Sequence, residues 1–274
     1  MFVHLKNRAL LKVSGSDAEI FLQGQLSNDI NKLDAFNVQL NAYCQHQGKI
    51  LALLWVTKNE DSFFLSFPLD LLETLEPRLQ MFIIMSDVVI EDITKDYIQV
   101  GSIGENHQKA MAINDKLSLI ITDKQDINKF NMGPIEDWGM ACIASTLPEI
   151  YQLTSEKLVP QMLNLDINEI GVNFSKGCYP GQEVVARLHY LGSAKRRLFA
   201  FESGSEINIS DPLYCASSKS AKDRGARYKG SGIVIFRIKY NSKFYCLATL
   251  EVELKDAKIT LNNEQGPELT RLIK

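Results

Sequence analysis

The sequence predicts an α+β protein in two parts, a mixed helix–strand region followed by a small all-β domain, sandwich or barrel. Three observations predict it. Up to about residue 190, strand-like and helix-like runs mix without the regular alternation of a doubly wound sheet. From Lys195 onward only short β-type runs recur, at even spacing and with no helical period. Between the two lies an octapeptide unlike core-filling sequence, Lys176-Gly177-Cys178-Tyr179-Pro180-Gly181-Gln182-Glu183. Glycine and proline weaken both helices and strands, so this stretch serves something other than packing.

The elements follow in order. Arg8–Ser14 alternates apolar and polar residues as a strand does, and Gly15-Ser16-Asp17 is a turn able to cap a helix. Ala18, Ile20, Phe21, Leu22 and Leu26 then recur at helical spacing. Asn37–His46 reads as a strand broken by Gly48, and Ile50–Thr57 with Ser62–Pro68 as a hairpin. Leu69–Met81 carries a leucine stripe and reads as a helix weakened by Pro77. Val88–Ile93, Tyr97–Ile103 and Leu117–Thr122 are further strands, and Ile135–Ser145 holds Trp138 among apolar residues. A short helix is expected from Pro180, whose ring suits a first helical turn, to Gly192. Beyond the boundary near Gly192–Arg196 the β-runs are 197–202, 212–216, 232–240, 244–253 and 258–261.

Bulk properties exclude several classes. The chain has 274 residues, 45% hydrophobic and 23% charged, as in ordinary soluble proteins. Net charge is −3, so any RNA contact needs a local basic patch. Apolar runs are too short for a bilayer, and residues 1–8 lack a signal-peptide core, so a cytoplasmic protein with no membrane partner is expected. The five cysteines, Cys44, Cys142, Cys178, Cys215 and Cys246, are scattered with no C-x-x-C pair. That predicts reduced thiols and no protein-only metal or cluster site.

The octapeptide reads as a setting for an activated thiol. Lys176 and Arg187 are local cations, and a helix starting at Pro180 would turn its positive end toward Cys178. Gly177 and Gly181 permit close backbone approach, and Gln182 and Glu183 add an amide and a carboxylate. The competing reading is a structural cysteine in a tight turn. A papain-like nucleophile needs a histidine, and His189 is the one local candidate among four in the chain; it reads first as a polar surface residue and only second as a base.

Extended to Arg187, the pattern Lys176-Gly177-Cys178-Tyr179-x-Gly181-Gln182-Glu183-x-x-x-Arg187 resembles the signature of the YgfZ family, folate-binding proteins related to the aminomethyltransferase of the glycine cleavage system. Gly15-Ser16-Asp17-Ala18 leading to Leu22–Asp29, the Ala42-Tyr43-Cys44 to Gly48-Lys49-Ile50 turn, and Pro160–Leu165 resemble other family segments in the same order. The resemblance implies a folate-binding region of ferredoxin-like halves, residues 1–194, and a C-terminal β-barrel, residues 195–274. It implies tetrahydrofolate as ligand and Cys178 as the essential residue. It also implies a role in assembling or repairing iron–sulfur clusters in client enzymes such as a tRNA methylthiotransferase. Of the two tryptophans with which folate-binding members hold the ligand, Trp138 matches the second and Arg8 stands at the first. A glutamate of related pterin sites falls near Ala144. Asn28 and Asp29 either line the pocket or end the first helix.

The strand Ile50–Trp55 carries no carboxylate where the aminomethyltransferases have their aspartate, which points away from a classical enzyme. A folate-dependent one-carbon transferase and a non-catalytic binding scaffold stay open as alternatives. Two basic stretches, Lys195-Arg196-Arg197 and the run Lys219, Lys222, Arg224, Arg227, Lys229, could meet a folate tail, RNA or an acidic partner, or be solvated surface. Direct tRNA contact is therefore an open expectation.

Overall fold

A computed structural model describes residues 1–218 and 230–272. The run from Lys219 to Lys229 lies outside the described residues. In chain order the first half holds β1 (Phe2–His4), β2 (Arg8–Ser14), α1 (Ala18–Gln25), β3 (Gln39–Cys44), β4 (Ile50–Asn59), β5 (Ser62–Pro68), α2 (Leu72–Gln80), β6 (Val89–Asp92), β7 (Tyr97–Ile103), β8 (Met111–Ala112) and β9 (Leu117–Asp123). Then follow α3 (Ile135–Ser145), α4 (Gln182–Leu191), β10 (Arg196–Ser203), β11 (Pro212–Tyr214), β12 (Gly232–Tyr240), β13 (Lys243–Glu251), β14 (Ile259–Leu261) and β15 (Glu268–Arg271).

The strands form two open sheets and a barrel. One sheet runs β3-β4-β5-β2-β6 and the other β1-β7-β9-β8, while β10-β13-β12-β11-β14-β15 close on themselves. The all-β texture after Lys195 is thus a barrel rather than a sandwich. Closure leaves no free strand edge, which suits strands as short as β11 and β14. Its interior is filled by Phe201, Leu213, Val234, Cys246, Leu250, Ile259 and Leu261, inward residues of its strands.

The hairpin β4–β5 closes with Asn59 opposite Ser62, and Glu60 takes a left-handed conformation (φ 51°) to make the turn. Every residue of β5 and the first eight of β4 are buried, because these central strands are covered on both faces. No helix among the described residues is long and apolar enough to cross a membrane.

Three expectations are corrected. Residues 69–71 form a 3₁₀ turn, and α2 proper starts at Leu72. α4 starts at Gln182 rather than Pro180, because Gly181 sits in the left-handed region (φ 82°) and breaks the helical path between them. The sixth barrel strand, β15, carries one buried side chain, Leu269, in four residues, too little alternation to read from sequence.

Candidate functional site

Cys178 is exposed, and Cys44, Cys142, Cys215 and Cys246 are buried. Burial pushes the Cys44 thiol up to about 12 and also raises Cys142 and Cys246. These three are therefore neutral and shielded near neutral pH, while Cys178 meets solvent.

The loop carrying Cys178 is held at both ends. On one side Gly181 lies on the Gly48 turn: a Cβ at Gly181 would sit 2.4 Å from the Gln45 carbonyl oxygen and 2.7 Å from Gly48 Cα. That carbonyl accepts the Gly48 N–H at 2.8 Å, closing the turn. Gly48 is itself left-handed (φ 74°), and a Cβ there would meet Val184 of α4. Gly177 differs: a Cβ there meets nothing within 4 Å. Of the two glycines the sequence singled out, Gly181 is required by packing and Gly177 is not.

On the other side stands Lys176. The Lys176 Nζ donates to the carbonyl oxygens of Gln23 (2.7 Å), Asn28 (2.9 Å) and Leu26. An ammonium has three N–H donors, so none is left for a thiolate. The sequence reading of Lys176 as a cation serving Cys178 is corrected accordingly. It caps the C-terminal end of α1, where unsatisfied carbonyls favour positive charge. The aromatic ring of Tyr179 lies 5.3 Å from the same Nζ and is buried. Burial brings the Lys176 ammonium down to about 8, with the Asp29 carboxylate opposing.

The lysine is half-protonated near 10.5 in the ordinary state and near 8 in the fold, so over that window the unfolded chain binds more protons. Stability contributed by this group therefore rises with pH across the window. Urea unfolding at pH 8 and at pH 10 should show the parent gaining stability relative to Lys176→Met; parallel pH profiles would show that the ammonium is not desolvated.

Asn28 and Asp29 belong to the same clasp. The Asn28 backbone N–H donates to Asn41 Oδ1 (2.9 Å), and its side-chain amide donates to the Leu40 carbonyl (3.0 Å). Asp29 accepts from Gln23 Nε2 at 2.9 Å. Their side chains end α1 and shape the bend on which Lys176 closes. Gln182 is half-buried, Glu183 is exposed, and exposed Arg187 forms no ion pair among the described residues.

Arg8 and Trp138 lie in the interior, apart from Cys178 in the chain. The Arg8 guanidinium stacks 3.6 Å over Trp55. Its Nε donates to Ser66 Oγ (2.7 Å), its Nη2 to the Ser66 carbonyl (3.0 Å), and its Nη1 pairs with Glu149. Burial raises the Tyr151 phenol well above its ordinary value, and the nearby Glu149 carboxylate adds to the rise. Trp138 is 6% exposed, meets Trp55 edge-on at 6.2 Å, and packs on Gly101, where a Cβ would fall 2.4 Å from its ring. Trp138 and Arg8 are both buried, and neither ring nor guanidinium presents an open face to a pterin. The expected Arg8–Trp138 ligand site is thus filled by the protein's own ion pair. Ala144 is exposed, and the carboxylate that enters the interior is Glu149, just past the end of α3. Sequence reading missed Glu149 and Trp55, because no local pattern links residues 141 positions apart.

The fold is that of an aminomethyltransferase. The glycine cleavage system aminomethyltransferase T from Bartonella henselae superposes with a TM-score of 0.71 at 10% identity, covering 100% of this chain and 84% of that one. No family model matches the sequence. An uncharacterized protein from Haemophilus influenzae is 34% identical over 222 residues, covering 76% of this chain and 78% of its own. The tRNA-modifying protein YgfZ of Colwellia psychrerythraea is 28% identical over 238 residues, covering 74% and 72%. That of Aliivibrio fischeri is 26% identical over 258 residues, covering 84% and 78%. The chain belongs to the YgfZ family. Within a YgfZ frame, the Lys176–Glu183 loop is the piece held by both the α1 end and the Gly48 turn. Among the described residues no cluster of three or more His, Cys, Asp or Glu side chains is placed to hold a metal.

Proposed function

We propose that this chain is an accessory protein of tRNA modification whose working group is the Cys178 thiol, serving iron–sulfur enzymes such as a tRNA methylthiotransferase. The observation that carries the reading is the contrast among thiols: Cys178 is exposed on a loop fixed at both ends, and the other four are buried. A scaffold that used Cys178 only for packing would bury it. The relatives named as tRNA-modifying proteins supply the process. In this reading residues 1–194 and 195–274 act as one presenting body and one barrel module.

Tetrahydrofolate comes with the family reading, but Arg8 and Trp138 do not fit it, since both are committed within the core. Aminomethyl transfer is also unsupported, because the β4 stretch Ile50–Trp55 carries no carboxylate. The reading is tested by deleting the gene in its own host and measuring methylthiolated adenosine in tRNA by mass spectrometry. A fall that the parent gene restores is expected; an unchanged level would refute the assignment.

A further inference from the structure

We infer that the outer face of α4, together with Phe174, is a stacking platform for unpaired bases of an RNA. This rests on the tRNA reading above and adds a binding surface to it. α4 places Glu183, Val184, Arg187, Tyr190 and Leu191 at helical spacing on one exposed stripe. Tyr190 is 66% and Leu191 83% exposed. His189 stacks on Phe174 with ring centroids 3.7 Å apart and planes inclined by 17°, and Tyr190 meets both rings edge-on at 4.8 and 6.0 Å.

The cluster is held in place before any ligand arrives. The Asn173 N–H donates to the Ser27 carbonyl at 3.0 Å, and Ser175 N–H to Asn173 Oδ1 at 2.9 Å, so Phe174 is fixed from both sides. Phe174 precedes Lys176 by two residues, so the platform and the Cys178 loop share the clasp on α1. Sequence-specific and single-strand RNA binding both use exposed aromatic rings and guanidinium planes as seats for unstacked bases, with cations on the phosphates. Arg187 lies one turn before Tyr190, and exposed Lys195 follows it by five residues. Neither forms an ion pair among the described residues, so both are available to phosphates. Glu183 is the one acid on the stripe, at its Cys178 end. Three clustered rings beside two cations that form no ion pair among the described residues favour a polyanion with planar groups.

The test is fluorescence anisotropy with a labelled stem–loop RNA taken from a tRNA and with a fully paired duplex of equal length. The parent should prefer the stem–loop, and its affinity should fall with salt. Tyr190→Ala and His189→Ala should each weaken stem–loop binding by about tenfold, the scale of one lost base stack, with little change on the duplex. Phe36→Ala, which removes a 77% exposed ring on a different loop, should change nothing. Circular dichroism verifies that each variant is folded. If the parent binds and the α4 variants bind equally well, the platform is wrong while the tRNA reading stands. If the parent binds neither RNA, direct contact is refuted and the platform with it, and the cellular methylthiolation assay then decides the tRNA reading separately.

Discussion

Glu149→Ala should destabilise the protein by about 3–5 kcal/mol, the range found when one partner of a buried ion pair is removed. The cost comes from Arg8. Its guanidinium stacks on Trp55 and is only 7% exposed, so losing Glu149 leaves a buried positive charge with only Ser66 to satisfy it. Thermal unfolding should fall by roughly 10 °C, since each kcal/mol moves the midpoint of a chain of this size by about 2–4 °C. The double variant Arg8→Met/Glu149→Leu should recover most of the loss, because an apolar pair of similar volume avoids desolvating two charges. A Glu149→Ala protein within about 1 kcal/mol of the parent would show the pair to be solvated.

Gly181→Ala should be nearly as severe, and its effect should concentrate on the Cys178 loop. The left-handed backbone alone costs an alanine about 1–2 kcal/mol. The added Cβ also meets the Gln45 carbonyl at 2.4 Å, which would open the bond that closes the Gly48 turn. The expected result is a folded protein with a shifted octapeptide and little function, read by urea unfolding alongside tRNA methylthiolation in cells. Gly177→Ala is the internal comparison: a methyl group there meets nothing, so stability should stay within about 0.5 kcal/mol, as for ordinary surface changes. Equal effects at the two positions would contradict the packing account.

Much of this was legible because it is written locally. The glycines and proline of residues 177–181 announce a fixed loop, and the even β-runs after Lys195 announce the barrel. What escaped was written between distant segments. Lys176 has Gly177 and Cys178 as chain neighbours, so a local reading gives its charge to the thiol. Its real partners are carbonyls about 150 residues earlier, which only the packed α1 end brings within reach. Arg8 invited reading as a ligand-binding cation for the same reason: its partner Glu149 sits in a segment with no motif. α4 was placed two residues too early because Pro180 favours a first helical turn, whereas the left-handed Gly181 decides where the helix begins. The aromatic cluster was hidden too, since Phe174 and His189 stack across a loop and His189 alone read as a polar surface residue or a base.

In the proposed reading Cys178 is the group through which this protein works. The direct measurement is methylthiolated adenosine in tRNA from a strain lacking the gene and carrying Cys178→Ser at parental protein levels. The exposed position predicts a protein as stable as the parent that restores little or none of the modification. Full restoration by Cys178→Ser would contradict the account.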